Sequence, residues 1–320
     1  TRNFPHREGS VPTSGQLASS ALMDARSIAA TAANKGVLTA ATELDVNYTA
    51  VDYHFDKRVY ENRVYQGFGK PKAETALKTG PNIASWPPVL PLAENLLLKV
   101  AAVLKDPVTT TDELIPSGEA STYRSNPMRL AEFTLCRKDP AYVGRAKDIK
   151  QLEMKRTQAL ENRDDSIKDI ELKSIASELG LPHEVYKTLE DTTVGSLIIA
   201  IKPGDGSARE QAASSQKILG GQANIVYEFA TKRYRSNLIN WGMLPFTVEQ
   251  ETLALLALND LISIPGIRNA VAEGNNRVEA FVINQSGTLP IELKLDNLSK
   301  EERDIILAGY LINYYRSYKG

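Results

Sequence analysis

With one cysteine in 320 residues, Cys136, the chain cannot carry a disulfide framework or supply a cysteine-ligated metal centre alone. Its three histidines, His6, His54 and His183, stand too far apart for a local His-rich zinc motif. Charge of one sign is missing too. Lys+Arg 38 against Asp+Glu 39 leave a net charge of -1, so there is no overall basic field to gather nucleic acid and no polybasic tail. No apolar run approaches the roughly 20 residues that span a bilayer, and no signal-like segment opens the chain. The expected setting is a reducing one, the cytoplasm, with neither membrane nor nucleic acid as a partner. An initiator methionine is absent as well. The chain begins Thr1-Arg2-Asn3-Phe4, and we expect a start inside a longer protein whose remaining part contributes to function.

What is present suffices for a large core and more than one domain: 42% of residues are hydrophobic. Residues 14–35 are alanine-rich with apolar residues at helical spacing, and Gly36 follows as a stop. From about Leu44 to Lys105 the texture changes. KRVYENRVY reads as short strands, SWPPVLPL as a proline-stiffened linker, and NLLLKVAAVL (95–104) as a buried strand. Residues 145–177 are charged enough for a solvated helix. SLIIAIKP (196–203) reads as a strand, 207–219 as a helix, ANIVYEFA (223–230) as a strand or strand-to-helix turn, and TLALLALNDLI (252–262) as a buried helix. RVEAFVI and IELKL alternate as strands, and SKEERDIILAGYLINYYRSY is a closing amphipathic helix capped by Ser299. Strands alternating with helices predict an α/β fold over the last two-thirds.

The stretch Gly204-Asp205-Gly206-Ser207-Ala208-Arg209-Glu210 stands between a strand and a helix. A dinucleotide fingerprint requires a third glycine where Arg209 stands, and a phosphate-binding Walker loop requires Gly-Lys-Ser/Thr, which is absent. Two readings remain open. Ser207 and Glu210 spell a capping box. The same helix start, with free N–H groups and the Arg209 guanidinium, also makes an anion site with a hydroxyl in its middle. A serine placed there could act as a base, because that environment stabilises its alkoxide.

The segment GDGSAREQAASSQKILGGQANIVYEFATKRYRSNLINWGMLPF resembles the mobile C-terminal swivel domain of the aconitase family, whose pattern is Gly-Glu-Gly-Ser-Ser-Arg-Glu-His, then Leu-Gly-Gly, Thr-Asn-Leu and Gly-Leu-Leu-Pro. Leu219-Gly220-Gly221, Ser236-Asn237-Leu238 and Gly242-Met243-Leu244-Pro245 match the second half. TRNFPHR is similar to the family's Asn-Arg-Asn-Phe-x-Gly-Arg, which implies Arg2 and Arg7 as holders of substrate carboxylates. TTTDELIPSGEASTYRS is similar to Thr-Thr-Asp-His-Ile with an arginine twelve residues after the aspartate, which implies Asp112 and Arg124 as site residues. The three motifs stand in the family's order. Within it, the chain is similar to the poorly characterised aconitase-like hydratases of bacteria.

The resemblance implies an α/β fold: the end of an α/β domain over residues 1–45, a linker with short strands over 46–107, and a swivel domain over 108–320. It implies the C-terminal part of a hydro-lyase acting on a tri- or dicarboxylic hydroxy acid. Ser207 would abstract the proton, Asp112 would join the acid/base network, and Arg2, Arg7, Arg124 and Arg209 would hold carboxylates beside Ala208. A [4Fe–4S] cluster would be ligated from the N-terminal part of the same protein, covalent or associated. Several departures from the pattern matter: Ala208 replaces the second serine but keeps a backbone N–H, Gln211 and Glu113 replace histidines, and Pro5-His6 replace x-Gly. These imply an altered substrate shape with the acid chemistry retained. Arg145, Arg233 and Arg235 are expected as surface charges, and Cys136 as a core or surface thiol without a cluster role. Two other classes remain: the same cleft used to bind RNA or a ligand without catalysis, and an isopropylmalate-isomerase-like small subunit, which the Arg2/Arg7 segment and the long linker disfavour.

Overall fold

Sequence-local forces account for the first part of the chain. The computed structural model describes residues 22–47, 52–63, 67, 69–76 and 78–317. Those up to Lys78 and those from Thr79 form two compact units. In the first, helix α1 (Ala25–Ala33) starts at Asp24, whose carboxylate accepts from the N–H groups of Arg26 and Ser27. Thr39, buried, ties the following turn back through its N–H to Thr31 Oγ1 at 3.1 Å. The KRVYENRVY stretch, expected as strand, instead holds the helical turn α2 (Arg58–Glu61). Among the described residues its alternation finds no partner strand, whereas local contacts favour a turn. Asp56 Oδ1 accepts from Arg58 N at 3.0 Å, Lys57 and Glu61 pair at 3.2 Å one turn apart, and Phe55 stacks on Tyr60.

The second unit is a closed barrel with helices outside. In chain order it comprises β1 (Asn95–Leu104), β2 (Thr109–Thr110), α3 (Thr111–Leu114), α4 (Pro127–Ala131), α5 (Tyr142–Glu161), α6 (Asp165–Glu178), β3 (Thr192–Ala200), β4 (Pro203–Asp205) and α7 (Arg209–Ile218). Then come β5 (Gly221–Val226), α8 (Lys232–Asn240), β6 (Leu244–Thr247), α9 (Gln250–Leu255), β7 (Leu261–Ile264), α10 (Ile267–Glu273), β8 (Arg277–Asn284), β9 (Gly287–Lys294), α11 (Lys300–Leu307) and α12 (Leu311–Ser317). The barrel runs β1-β3-β5-β6-β9-β8-β7 and closes by β7 on β1. Its β1, β3, β5 and β6 are parallel neighbours, joined by helical crossovers, while β7, β8 and β9 are antiparallel. The α/β class expected from the alternation is what the chain adopts. β1 lies within this unit, whose described residues begin at Thr79, ahead of the swivel-domain start expected at 108. Among the described residues no helix is long and apolar enough to cross a membrane.

Period-2 patterning divides the apolar side chains between two cores. Leu96, Leu98 and Val100 join Leu197, Ile199, Ile225 and Phe246 in one cluster. Leu97, Ala101, Ala102 and Leu104 join helix residues such as Ile149, Ala212 and Leu238 in the other. A register shift between Val100 and Ala102 puts Ala101 and Ala102 on the same side. Arg145 seals this irregularity: its Nε donates to Ala101 O at 2.8 Å and its guanidinium pairs with Asp139. It is half-buried and not the surface charge expected. Arg235 is half-buried too, donating to Asp296 O at 2.6 Å, whereas Arg233 is exposed.

Three expected helices are also corrected. The charged 145–177 stretch is two helices, parted where Asp164 caps α6 through Ser166 N at 2.9 Å. Arg156 of α5 is buried, forked onto Glu153 and donating to Leu189 O at 3.0 Å. The run 252–262 breaks after Leu255. Asn259 takes φ +72°, and the Asn259 N–H and Asp260 carbonyl both bond Val100, which turns the chain into β7. Ser299 caps α11 as expected, accepting from Glu302 N at 3.2 Å, but the single closing helix expected is parted into α11 and α12 where Gly309 takes φ +92°.

Candidate active site

The two motifs most alike in spelling to the aconitase family lie about a hundred residues apart, and a two-strand parallel ladder joins them. Thr109 pairs with Pro203 and Thr110 with Asp205, and Thr109 N donates to Lys202 O at 3.0 Å. The glycines of the loop are set by packing and not by a phosphate. Gly206, at φ +136°, has Thr111 Oγ1 where a Cβ would lie. Gly204, at φ +100°, has the ring of Tyr234 in that place. A side chain at Gly206 would push the two motifs apart, and one at Gly204 would push the loop off α8.

At the start of α3 the sequence closes a capping box. Thr110 Oγ1 accepts from Glu113 N at 3.2 Å, and Glu113 Oε2 accepts from Thr110 N at 2.7 Å. Lys138 Nζ donates to the other Glu113 oxygen at 3.0 Å and to Asp106 at 2.9 Å. Burial alone raises the Glu113 carboxyl, but the Thr110 N–H and the Lys138 ammonium outweigh it and hold the group below the usual carboxylate range. Glu113, noted as standing where the family has histidine, thus anchors the backbone.

At the start of α7 the matching spelling is not used. The residue that caps this helix is Ala208, at φ −83° and ψ 37°, with no side-chain cap. Ser207 is exposed, and among the described residues its hydroxyl has no hydrogen-bond partner. The capping box expected for Ser207 and Glu210 does not form, because Glu210 falls one position too early in the helix to reach back. The Ala208 N–H, expected to face substrate, donates to Thr111 Oγ1 at 3.3 Å and ties the two motifs together.

Asp112 stands in the first turn of α3. Its Oδ1 accepts from Ser117 N at 3.1 Å and Ser117 Oγ at 2.9 Å, and its Oδ2 from Arg137 at 3.2 Å. Arg137 also pairs with Glu119. Arg209 is half-buried on the first residue of α7. Arg124 is exposed just after a 3-10 turn over Ser121–Tyr123, between α3 and α4, which both pack on α7. The fold therefore gathers Asp112, Ser207, Ala208 and Arg209 around one ladder and carries Arg124 on a neighbouring turn. Arg2 and Arg7 lie outside the described residues. Cys136 is half-buried and free. Among the described residues no three His, Cys, Asp or Glu side chains cluster as a metal site.

Behind the loop sits a buried polar ring that sequence reasoning missed. Asn224 Nδ2 donates to Gln216 Oε1 at 2.8 Å, Gln216 Nε2 to Tyr234 Oη at 2.9 Å, and Tyr234 Oη to Asn224 Oδ1 at 2.9 Å. The ring joins α7, β5 and α8, and burial pushes the Tyr234 hydroxyl well above its ordinary value. Thr231 extends the brace, donating to Gly204 O at 3.1 Å and capping α8 through Tyr234 N. The available signal was a polar residue inside an apolar strand, the asparagine of ANIV.

Residues 136–251 match the aconitase C-terminal domain. The chain is 26% identical over 261 residues to the mitochondrial homocitrate dehydratase of Saccharomyces cerevisiae, covering 77% of this chain and 29% of that protein. It is 25% identical over 226 residues to aconitate hydratase A of Rickettsia conorii, covering 68% of this chain and 25% of that one. It thus spans under a third of the length of either relative. A solved 3-isopropylmalate dehydratase from Methanocaldococcus jannaschii aligns with a TM-score of 0.42 at 20% identity, covering 69% of this chain and 93% of that one. The family match over residues 136–251 runs from the approach to α5 through β6 into α9, so it is this stretch of the barrel unit that is similar to the aconitase C-terminal domain.

Proposed function

We propose that this chain is the C-terminal part of a hydro-lyase, and that the 203–210 loop removes a proton from the carbon next to a carboxylate of a hydroxy di- or tricarboxylic acid. The observation that carries the reading is the freedom of Ser207: an exposed hydroxyl at the head of a ten-residue helix, spared from capping. Elimination of water begins when Ser207 Oγ, as alkoxide, takes that proton. The helix N-terminus and the Arg209 guanidinium stabilise the alkoxide and draw a carboxylate to it. Arg124, with Arg2 and Arg7, supplies further guanidinium forks suited to a substrate with two or three negative charges. Asp112 joins the proton network, with Arg137 and Ser117 as positioning residues.

The relatives are named for homocitrate and aconitate, and we take a tricarboxylate of that class as the substrate here. The [4Fe–4S] cluster implied by the resemblance has no ligand set among the described residues. On this reading its ligands, and half of the substrate cleft, belong to a part of the protein outside this chain. A cytoplasmic setting agrees with the single cysteine.

Ser207→Asp tests the assignment. Aspartate is tolerated at helix starts, so the melting temperature should stay within a few degrees of wild type, while its charge repels a carboxylate. Assayed in the complete protein against citrate, homocitrate and 2-alkylmalates, the variant should be folded and inactive. Near-normal turnover on any of these acids would show that Ser207 takes no part in the chemistry.

A further inference from the structure

At the far end of α7 from Ser207, about 15 Å along the axis at roughly 1.5 Å per residue, the barrel unit contains a cavity of about 540 Å³. That volume is in the range of small-molecule sites. Its walls are mainly apolar, with Pro88, Leu92, Leu96, Met154, Val194 and Ile218 among them. Two ammonium groups line it as well, Lys150 of α5 and Lys217 of α7. Lys217 Nζ donates to Gln222 Oε1 at 2.8 Å and Lys150 Nζ to Ile218 O at 2.8 Å, and among the described residues neither lysine has a carboxylate partner. The carboxylates in the walls are Glu153, forked onto Arg156 and accepting from Val194 N, and Glu161, which is exposed.

An ammonium held among apolar groups with a single neutral acceptor is short of negative charge. Burial lowers Lys217 to about 7, and burial followed by the charge of Lys147 lowers Lys150. An anion would restore both groups. The apolar walls would desolvate a second carboxylate at a cost, so the ligand is a monoanion with a hydrocarbon tail, unlike the polyanion proposed for the Ser207 loop. We propose that this cavity binds a small aliphatic or aromatic monocarboxylic acid, its carboxylate on Lys217 and its tail against Leu92, Leu96 and Met154.

Octanoate, with citrate as the contrasting acid, is the probe, titrated calorimetrically into protein containing the full chain at pH 6.5 and 8.5. Octanoate should bind saturably at one site and citrate should not. Because the anion selects protonated Lys217, the affinity should fall at least tenfold from pH 6.5 to 8.5, with proton uptake seen as a dependence on buffer ionisation heat. Lys217→Met should remove that pH dependence and weaken binding at least tenfold. The same variant should melt higher, most clearly below pH 7. The lysine's depressed value means the unfolded chain binds the extra proton between about pH 7 and 10.5, so the buried ammonium's penalty is fully present only below that window. Met154 is exposed, so Met154→Trp fills the cavity without disturbing the core and should block octanoate. Absence of saturable binding, or wild-type affinity in Met154→Trp, would overturn the proposal whether or not Lys217→Met folds.

Discussion

Two helices, α3 and α7, start side by side with the same spelling, hydroxyl-x-x-Glu: Thr110-Thr-Asp-Glu113 and Ser207-Ala-Arg-Glu210. In the first, hydroxyl and carboxylate satisfy each other's backbone N–H groups and fix the turn. In the second, Gly206 swings the chain through φ +136°, the helix starts one residue later, and neither side chain caps. The hydroxyl of Ser207 is left facing outward, and the vacant N–H of Ala208 is taken by Thr111 from the first helix. One start is built for stability and its neighbour is kept available. The capped helix is what holds the uncapped one in place.

Removing the two hydroxyls should therefore have opposite consequences. Ser207→Ala should lower kcat/KM of the complete protein by about 10²–10⁴-fold, as loss of a positioned base does, with the melting temperature unchanged. Thr110→Ala should do the reverse, costing about 0.5–2 kcal/mol of stability in denaturant unfolding with a smaller effect on turnover. A stability loss in Ser207→Ala as large as in Thr110→Ala would erase the contrast.

Acid sharpens the comparison. The Glu113 carboxyl lies below its ordinary 4.5 in the folded chain. Its contribution is thus fully present above about pH 4.5 and is lost as pH falls through the lowered folded value. In a urea series from pH 7 to 3, wild type should exceed Glu113→Gln by a constant margin down to about pH 4.5, and the margin should then close. A margin independent of pH would mean that the carboxylate does not anchor α3.

The smallest effect belongs to Glu210, exposed in the first turn of α7 without a capping bond. Glu210→Ala should change stability by no more than about 0.5 kcal/mol. A loss on the scale of Thr110→Ala would reveal a capping box that operates at α7 after all.

How much of this was legible depended on the range of the interaction. The α/β alternation, the strand NLLLKVAAVL, the cap at Ser299 and the aconitase-like motifs all depend on spacing within a few residues, and they could be read along the chain. Local spelling misled where two segments compete for the same groups. KRVYENRVY alternates but among the described residues finds no strand to pair with, and Arg58–Glu61 forms a helical turn. TLALLALNDLI is apolar enough for a helix, yet the Val100 backbone claims Asn259 and Asp260. Arg145 reads as a surface charge until the irregularity in β1 offers it the Ala101 carbonyl.

At the candidate site the sequence by itself determined the inventory: a serine and an arginine at a helix start, an aspartate and an arginine in the preceding motif, and glycines where the backbone must turn. Tertiary structure decided which of them are at liberty. The β2–β4 ladder and the Thr111–Ala208 bond join groups about a hundred residues apart, and the buried Asn224–Gln216–Tyr234 ring locks three elements together behind them. A hydroxyl's chemistry depends on whether its lone pairs and proton are already taken. Only the folded chain shows that the local box closes at Thr110 and stays open at Ser207, because the Gly206–Thr111 approach that shifts the start of α7 exists only in three dimensions.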